Sequence, residues 1–242
     1  MVPKLTVTDQ LHDVKKNLND QPELIQPNDE SPYSRNNLST NYQKRINKFL
    51  TRHLLGDLKN SQQPDEIDVG ANLLQGLGQF QSFISDKNIT SLLDYGAGKT
   101  NQYGPITINT GGTNEESFLQ QILKLKEIKC YDPAYPPITI LPSGTLDCVV
   151  CFDVLDRCSE EDLSWIIDEI FSLAKICVFI KINNWDNGVK LGDEPEICII
   201  KPKEWWVNLI SPLKKKYPEL VVSLILQINQ QGQAEDLSSL IQ

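Results

Sequence analysis

The sequence predicts an α/β fold, with a mostly parallel, seven-stranded sheet, helices on both of its faces and a helical extension in front. Two observations support this prediction. Runs such as LDCVVCFDV (146–154) and ICVFIKI (176–182) are apolar throughout, as strands buried on both faces usually are. These runs alternate with amphipathic segments of helical period, and that alternation is the order that builds a parallel sheet.

Composition divides the chain into four regions, which are residues 1–38, 39–88, 89–230 and 231–242. The first has too few apolar residues to offset the entropy of ordering them, so we expect a flexible arm. The second carries two amphipathic helices that pack on the core, with apolar positions from Tyr42 to Leu54 and from Val69 to Ile84. The third is the sheet domain, and the fourth is expected to be a frayed tail.

The sheet domain contains seven strand-like runs. They are residues 91–94, 128–132, 138–141, 146–154, 176–182, 196–201 and 219–228. Helices are predicted between several of them. One covers residues 114–127, with Thr113 and Glu116 placed as a capping box, and others begin at Ser159 and at Pro202.

The overall composition limits the classes of function. The 242-residue chain is 40% hydrophobic and 23% charged, and its net charge is −9. This acidic balance argues against nucleic-acid or anionic-membrane partners, because phosphates attract clustered Lys and Arg. No apolar run approaches the about 20 residues that cross a bilayer, and the first residues lack a secretory signal. We therefore expect a cytoplasmic protein without a membrane partner; its oligomeric state is left open.

The stretch LLDYGAGKT (92–100) raises the question of which ligand the sheet binds. In parallel sheets, ligands bind at the carboxyl ends of the strands, near the point where the strand order reverses. A phosphate loop would need a glycine at position 93, where Leu93 stands, and a dinucleotide fingerprint would need one at position 101, where Asn101 stands. The strand CVVCFD (148–153) does fit a nucleoside triphosphatase, in which an Asp would bind magnesium. A phosphate-loop nucleoside triphosphatase and an NAD-dependent oxidoreductase are therefore alternatives that fit less well.

A third option fits more of the strand ends. Asp94-Tyr95-Gly96-Ala97-Gly98, Asp132 and Asp153 each follow or end a predicted strand. Over roughly residues 65–228, this arrangement resembles class I S-adenosylmethionine-dependent methyltransferases. The stretches that carry the likeness are DVGANLLQGLGQFQSFISDKNITSLLDYGAGKTNQY, CYDPAYP, CFDVLDRCSEEDLSWIIDEIF and KPKEWW. Within the class they resemble a family of small, mostly uncharacterised bacterial and phage methyltransferase-like proteins with a Rossmann-like sheet.

The resemblance implies S-adenosyl-L-methionine as the cofactor. The residues it assigns to cofactor binding are Asp94, Gly96, Ala97, Gly98, Gln102, Tyr103, Asp132, Pro133, Leu141 and Asp153. It places Asp132 on the ribose hydroxyls, Leu141 near the adenine and Asp153 beside the methyl-transfer cavity, with Gln102 and Tyr103 at the methionine end. Glycines suit the first turn, because a backbone without Cβ can pass close to a ligand.

The sequence departs from the usual pattern of the class at two places. Thr100 stands where the third glycine of the turn is usual, and the interval from Asp94 to Asp132 is long. The surplus maps to YGPITINTGG (103–112), which we interpret as a flap or hairpin over the site.

The residues available for chemistry are few. The only histidines are His12 and His53, both before the sheet domain, and His53 lies on the apolar side of its helix, which favours a buried structural role. Asp153 is the predicted catalytic residue, with a structural acid as the equal alternative. The cysteines predict no metal site, because Cys148 and Cys151 should lie on opposite faces of one strand.

These observations favour an S-adenosylmethionine-dependent methyltransferase that acts on a small-molecule or glycan-type acceptor. A non-catalytic protein that binds the cofactor and serves a regulatory role is the alternative from a different class.

Overall fold

A computed structural model of the chain describes residues 32–57, 61–67, 71–110 and 113–241. The described α-helices are α1 (Thr40–Leu55), α2 (Ala71–Gln75), α3 (Leu77–Ile84), α4 (Leu119–Ile122), α5 (Leu163–Ser172) and α6 (Lys203–Lys216). The described strands are β1 (Ser91–Tyr95), β2 (Pro105–Thr110), β3 (Thr113–Phe118), β4 (Glu127–Tyr131), β5 (Leu146–Phe152), β6 (Ala174–Asn183), β7 (Lys190–Leu191), β8 (Glu194–Pro195), β9 (Val221–Gln227) and β10 (Ala234–Asp236). None of these helices combines the length and the apolar character that crossing a membrane requires.

The fold is α/β, and its central sheet has six described strands in the order β4-β1-β5-β6-β9-β10. The first five are parallel, and β10 is antiparallel to β9. The chain runs from β1 outward to β4 and then returns to the other side of β1, where β5 begins. The strand order therefore reverses at β1, and the last residues of β1, β4 and β5 lie side by side at one edge of the sheet.

Helices cover both faces of this sheet, as the apolar strands predict. One buried cluster joins β-strand residues to α1, α5 and α6, and a second joins the opposite face to α3 and α4. Successive residues of β5 alternate between the two clusters, so Cys148 belongs to one and Cys151 to the other. The expectation that these two thiols face opposite ways is confirmed.

The predicted seven-stranded sheet is not observed, because two predicted strands do not form. Residues 138–141 contain the end of a short 3-10 helix (Pro136–Ile138) instead of a strand. Residues 196–201 are extended but join no described sheet; the N–H groups of Cys198 and Ile199 donate to the carbonyl of Asp156. Cys198 is accordingly exposed rather than buried in a strand.

The predicted helix over residues 114–127 is wrong for most of its length. Thr113–Phe118 pairs with Pro105–Thr110 as an antiparallel hairpin, and only Leu119–Ile122 is helical. Residues 113–118 pair with the neighbouring strand at six positions of the register. A capping signal describes only the local sequence, so it does not predict this pairing with another strand. The surplus segment (103–112) thus supplies one strand of a hairpin, with Thr113–Phe118 as the other, and its position over the site stays a prediction.

Both ends of the described chain are more structured than expected. Of the predicted arm, residues 1–31 lie outside the described residues, whereas Arg35 forms an ion pair with Glu169 and donates to the Tyr131 hydroxyl at 2.9 Å. In place of a frayed tail, β10 pairs with β9, and Leu237 and Ile241 are buried. The burial of these apolar side chains offsets the conformational entropy that the C-terminal residues lose when they are ordered.

Helix α1 begins and ends at clear signals. The Ser39 hydroxyl accepts the Tyr42 N–H at 3.0 Å, and Gly56 ends the helix with a φ of +78°. A Cβ at Gly56 would come within 2.3 Å of the Gln62 carbonyl oxygen, so the turn requires glycine. This helix matters because one of its faces forms a wall of the cavity described next.

Candidate functional site

A cavity opens beyond the carboxyl ends of β1, β4 and β5, where the strand order reverses. Its empty volume is about 820 Å³, which includes the open solvent in front of it. The predicted residues that line it are Asp94, Gly96, Ala97, Gly98, Gln102, Asp132, Pro133 and Asp153. The structure therefore brings together residues from three strand ends that are up to 59 positions apart, from Asp94 to Asp153.

Two predicted residues lie beside this cavity rather than on its described lining. Tyr103 contributes indirectly, because its hydroxyl donates to Asp94 Oδ2 at 2.8 Å. Leu141 is partly buried against the core. Neither is among the described residues that line the cavity.

The turn after β1 has the shape that its glycines predict. Gly96 and Gly98 have φ values of +86° and +57°, and a Cβ at Gly96 would come within 2.3 Å of the Val154 Cγ2 atom. The N–H groups of Gly96 and Ala97 both donate to the Tyr131 carbonyl, at 2.7 and 3.1 Å. Thr100 adopts the left-handed conformation itself, with a φ of +63°, so it reproduces the backbone of a glycine at that position.

Asp132 connects the turn after β1 to the turn after β4. Its Oδ2 atom accepts the Gly98 N–H at 3.0 Å, and its Oδ1 atom accepts the Ala134 N–H at 2.8 Å. Each carboxylate oxygen can accept more than one hydrogen bond. Asp132 can therefore hold the turn in place and still accept a donor from a ligand.

Asp94 lies beneath the glycine turn and is only 3% exposed. Its Oδ2 atom accepts from Gln102 Nε2 at 2.9 Å and from the Tyr103 hydroxyl, whereas its Oδ1 atom has no described hydrogen-bond partner. Burial raises the pKa of Asp94 to about 6, although its two hydrogen bonds act in the opposite direction. The Gln102 Oε1 atom is also buried without a partner in the described chain.

Asp153 follows β5 in a strained conformation, with a φ of +55°. Its Oδ1 atom accepts from Lys181 Nζ at 2.7 Å, and its N–H donates to the Lys181 carbonyl at 2.8 Å. Both side chains are buried. The predicted catalytic carboxylate is thus half of a buried ion pair. The signal for its partner was present in the sequence, because Lys181 interrupts the apolar run ICVFIKI.

Asp156 lies behind this pair and is fully buried. Neither of its carboxylate oxygens has a hydrogen-bond partner within the described part of the chain, and its nearest cation is Arg157, with Nε at 3.9 Å. Burial is the main cause that raises the pKa of Asp156 to about 7, with Arg157 opposing it and Asp153 reinforcing it. Two acids that are three residues apart therefore occupy very different environments.

Helix α1 supplies a wall that sequence reasoning missed. Its residues Tyr42, Arg45, Ile46, Phe49 and His53 line the cavity. The stripe that contains four of them was interpreted as a core-facing surface, and the expected burial of His53 is confirmed. Arg45 was expected mostly outside the stripe, but it is buried as well. The His53 Nδ1 atom lies 2.9 Å from the Ala134 carbonyl oxygen, which fastens the helix beside the loop after β4. A helical stripe facing a cavity and one facing a core have the same period.

Among the described residues, no three His, Cys, Asp or Glu side chains are grouped as metal ligands. Comparisons of the chain with protein-family models, with curated proteins and with solved structures found no match.

Proposed function

We propose that the protein is a cytoplasmic S-adenosylmethionine-dependent methyltransferase with a Rossmann-like sheet, acting on a small-molecule or glycan-type acceptor. The observation that carries the proposal is the 3.0 Å hydrogen bond between the Gly98 N–H and Asp132 Oδ2, at the edge of the cavity where the strand order reverses. A glycine turn joined to an acid after the second parallel strand suits a ligand that carries a ribose. The two groups were expected to meet on the basis of the resemblance alone.

The charges of the cavity favour a cationic ligand over a phosphorylated one. Asp94 and Asp132 line it and accept hydrogen bonds from neutral donors, and carboxylates repel a triphosphate or a pyrophosphate but attract a sulfonium. Arg45 and Arg157 also line the cavity, but their guanidinium groups lie 3.7 and 3.4 Å from Glu194 and Glu196. Lys99, which would have to reach the phosphates of a nucleotide, donates instead to the carbonyl of Pro64. Both observations weigh against the nucleoside triphosphatase and oxidoreductase alternatives.

An unpaired acceptor of Asp94 fits the methionine end of the cofactor. Asp94 Oδ1 and Gln102 Oε1 have no described protein partner, and both residues line the cavity. Gln102 Oε1 is fully buried, whereas Asp94 Oδ1 is not among the fully buried unpaired atoms, so Asp94 Oδ1 is the acceptor that an ammonium group could reach. Ionised Asp94 would also neutralise that group's charge.

When bound, the cofactor would supply an electron-poor methyl group that the acceptor's nucleophile attacks, with S-adenosylhomocysteine as the leaving group. Asp132 would orient the ribose, and Asp94, held in place by Gln102, would bind the ammonium. Asp153, already paired with Lys181, is better suited to hold the wall after β5 in place than to remove a proton. The residues therefore act mainly by alignment, which is a large part of catalysis for a displacement reaction.

The same pairing favours the second candidate, a non-catalytic binding or regulatory protein. In this reading the cavity binds the cofactor, but no residue of the sheet domain activates an acceptor. The observation in its favour is that Lys181 neutralises the predicted catalytic carboxylate, in a domain whose sequence contains no histidine.

Calorimetric titration with S-adenosylmethionine and S-adenosylhomocysteine tests the cofactor assignment. Asp132→Ala should weaken binding by about 1–3 kcal/mol, because a ligand donor and two backbone N–H groups lose their acceptor. Asp147→Ala is the matched control. Asp147 also accepts backbone N–H groups, from Thr90 at 2.7 Å and Ser91 at 3.0 Å, but at the amino ends of the strands, so binding should be unchanged.

Binding of neither compound by the wild-type protein would remove both candidate functions, and binding of ATP with magnesium would restore the phosphate-loop reading. To separate enzyme from binder, S-adenosylhomocysteine formation is measured in a cell extract with wild-type protein and with Asp132→Ala. Product formation by the wild type alone supports the enzyme. A protein that binds the cofactor but forms no product in any extract supports the binder.

A further inference from the structure

One face of helix α1 follows the cavity along its length. Tyr42, Ile46, Phe49 and His53 are spaced by four, three and four residues, which places them on one side of the helix. At 1.5 Å per residue, Tyr42 and His53 are roughly 16 Å apart along the helix axis. All four line the cavity, so α1 presents side chains over a length that matches an extended nucleoside ligand.

Hydrogen bonds hold this face in position without any ligand. The Arg45 Nε atom donates to the Arg157 carbonyl at 2.5 Å, on the loop after β5. The contact of His53 with the Ala134 carbonyl holds the other end of the helix on the loop after β4. The helix is therefore attached to two of the three strand ends that form the cavity.

The Tyr42 hydroxyl differs from those of the other buried tyrosines. Tyr95 donates to Glu169 at 2.7 Å, Tyr103 donates to Asp94 at 2.8 Å, and Tyr131 accepts from Arg35 at 2.9 Å. Tyr42 is only 6% exposed, yet its hydroxyl makes no hydrogen bond to any group that the structure describes. The hydroxyl is not among the described polar atoms that are fully buried without a partner, so it keeps accessible surface. Because Tyr42 lines the cavity, a ligand bound there can supply the partner.

The surroundings of Tyr42 indicate which part of a ligand it meets. Its ring packs edge-on against Trp165, with centroids 5.9 Å apart. Burial is the largest cause of its raised pKa, and the charges that act on it in the same direction include Asp132. The hydroxyl therefore stays protonated, and Tyr42 lines the same cavity as Asp132, the acid that follows β4.

We propose that Tyr42 is a ligand-binding residue, which donates a hydrogen bond to the ribose of the bound nucleoside while Asp132 accepts from it. The inference rests on the proposed cofactor class and extends the site into the N-terminal helix. The roles are complementary, because a ribose hydroxyl can donate to a carboxylate and accept from a phenol at the same time. Helix α1 is then part of the binding site and not only a support for the sheet.

The test compares wild type with Tyr42→Phe in calorimetric titrations with S-adenosylhomocysteine. Loss of one hydrogen bond should weaken binding about 3- to 10-fold. The melting temperature of the ligand-free variant should stay within about 2 °C of wild type, because the hydroxyl has no described protein partner to lose. Tyr217→Phe is the control: its hydroxyl donates to Asp168 at 3.1 Å, and Tyr217 is not among the described residues lining the cavity, so binding should not change.

A second ligand locates the contact. Methylthioadenosine keeps the ribose but lacks the amino-acid part, so Tyr42→Phe should weaken its binding by the same factor. A loss seen with S-adenosylhomocysteine alone would overturn the ribose assignment. Equal binding by variant and wild type, or a matching fall in ligand-free melting temperature, would overturn the role of Tyr42 and leave the cofactor class standing. Absence of binding by wild type would remove both.

Discussion

The cavity is bordered by two kinds of strand end, and they hold their acids differently. At the first, which we call the β1–β4 end, Asp94 and Asp132 accept hydrogen bonds from side-chain amide, hydroxyl and backbone N–H groups. At the second, the β5 end, Asp153 forms a buried ion pair with Lys181, on a backbone with a positive φ. Both ends contribute carboxylates to one cavity.

This difference indicates a division of labour. A carboxylate that accepts from neutral donors still carries a net negative charge that can attract a ligand. The charge of a carboxylate paired with a buried lysine is largely compensated by that lysine. The β1–β4 end is thus suited to binding a cationic nucleoside, and the β5 end is suited to fixing the shape of the cavity. The predicted catalytic role of Asp153 stays a prediction. The following experiments test whether the β1–β4 end and the β5 end differ in this way.

Lys181→Met should have the largest effect. It leaves Asp153 buried without its counter-ion, so the free energy of unfolding should fall by about 3–5 kcal/mol. Denaturant titration measures this fall, and the double variant with Asp153→Asn should recover part of it, because no uncompensated charge remains. A loss below about 1 kcal/mol would contradict a structural role for the pair and return Asp153 to the catalytic candidates.

Gly96→Ala should have the second-largest effect on stability, because it changes the contact between Gly96 at the β1–β4 end and Val154 at the β5 end. The new Cβ would meet Val154 Cγ2 at 2.3 Å at a φ of +86°, which should lower the free energy of unfolding by about 2–4 kcal/mol. Gly144→Ala is the matched control, because its φ is +77° but no atom lies within 4 Å of the added Cβ. It should lose only about 1–2 kcal/mol. Equal losses in the two variants would mean that Val154 yields and that the close approach is unimportant.

The smallest effect is a pH dependence at Asp94. Its pKa of about 6 in the folded protein exceeds the usual value of about 3.9, so the folded state binds more protons between these pH values. The contribution of Asp94 to stability should therefore fall as the pH rises from about 4 to 6, and Asp94→Asn should abolish this slope, which amounts to about 1–3 kcal/mol.

Denaturant titrations at several pH values measure the Asp94 slope, and Asp147→Asn is a control with the opposite sign. Burial is the largest single cause and raises the pKa of Asp147, but the hydrogen bonds from Thr90 and Ser91 together outweigh it, so its pKa is lowered. The stability that Asp147 provides is therefore lost as the pH falls. An Asp94→Asn variant with the wild-type slope would show that Asp94 is already ionised in the folded protein.

Local sequence signals were sufficient where the physics is local. The apolar runs predicted the five parallel strands, and the glycines at 96 and 98 predicted the turn after β1. They were insufficient where a distant partner decides the outcome. Residues 113–118 carry a helix-capping pattern but pair with Pro105–Thr110. Residues 196–201 are apolar enough for a strand but pair with no strand that the structure describes.

The α/β class, the order of the parallel strands along the chain and the acids that follow them could all be predicted from the sequence. Strand periodicity, turn glycines and strand-end residues are properties of short segments, so they can be read without coordinates. The ion pair of Lys181 with Asp153, and the place of Tyr42 at the cavity with a hydroxyl that no described protein group pairs, became visible only in the folded chain. The pairing of a buried polar group depends on which groups lie near it in space, and residues far apart in the chain decide that.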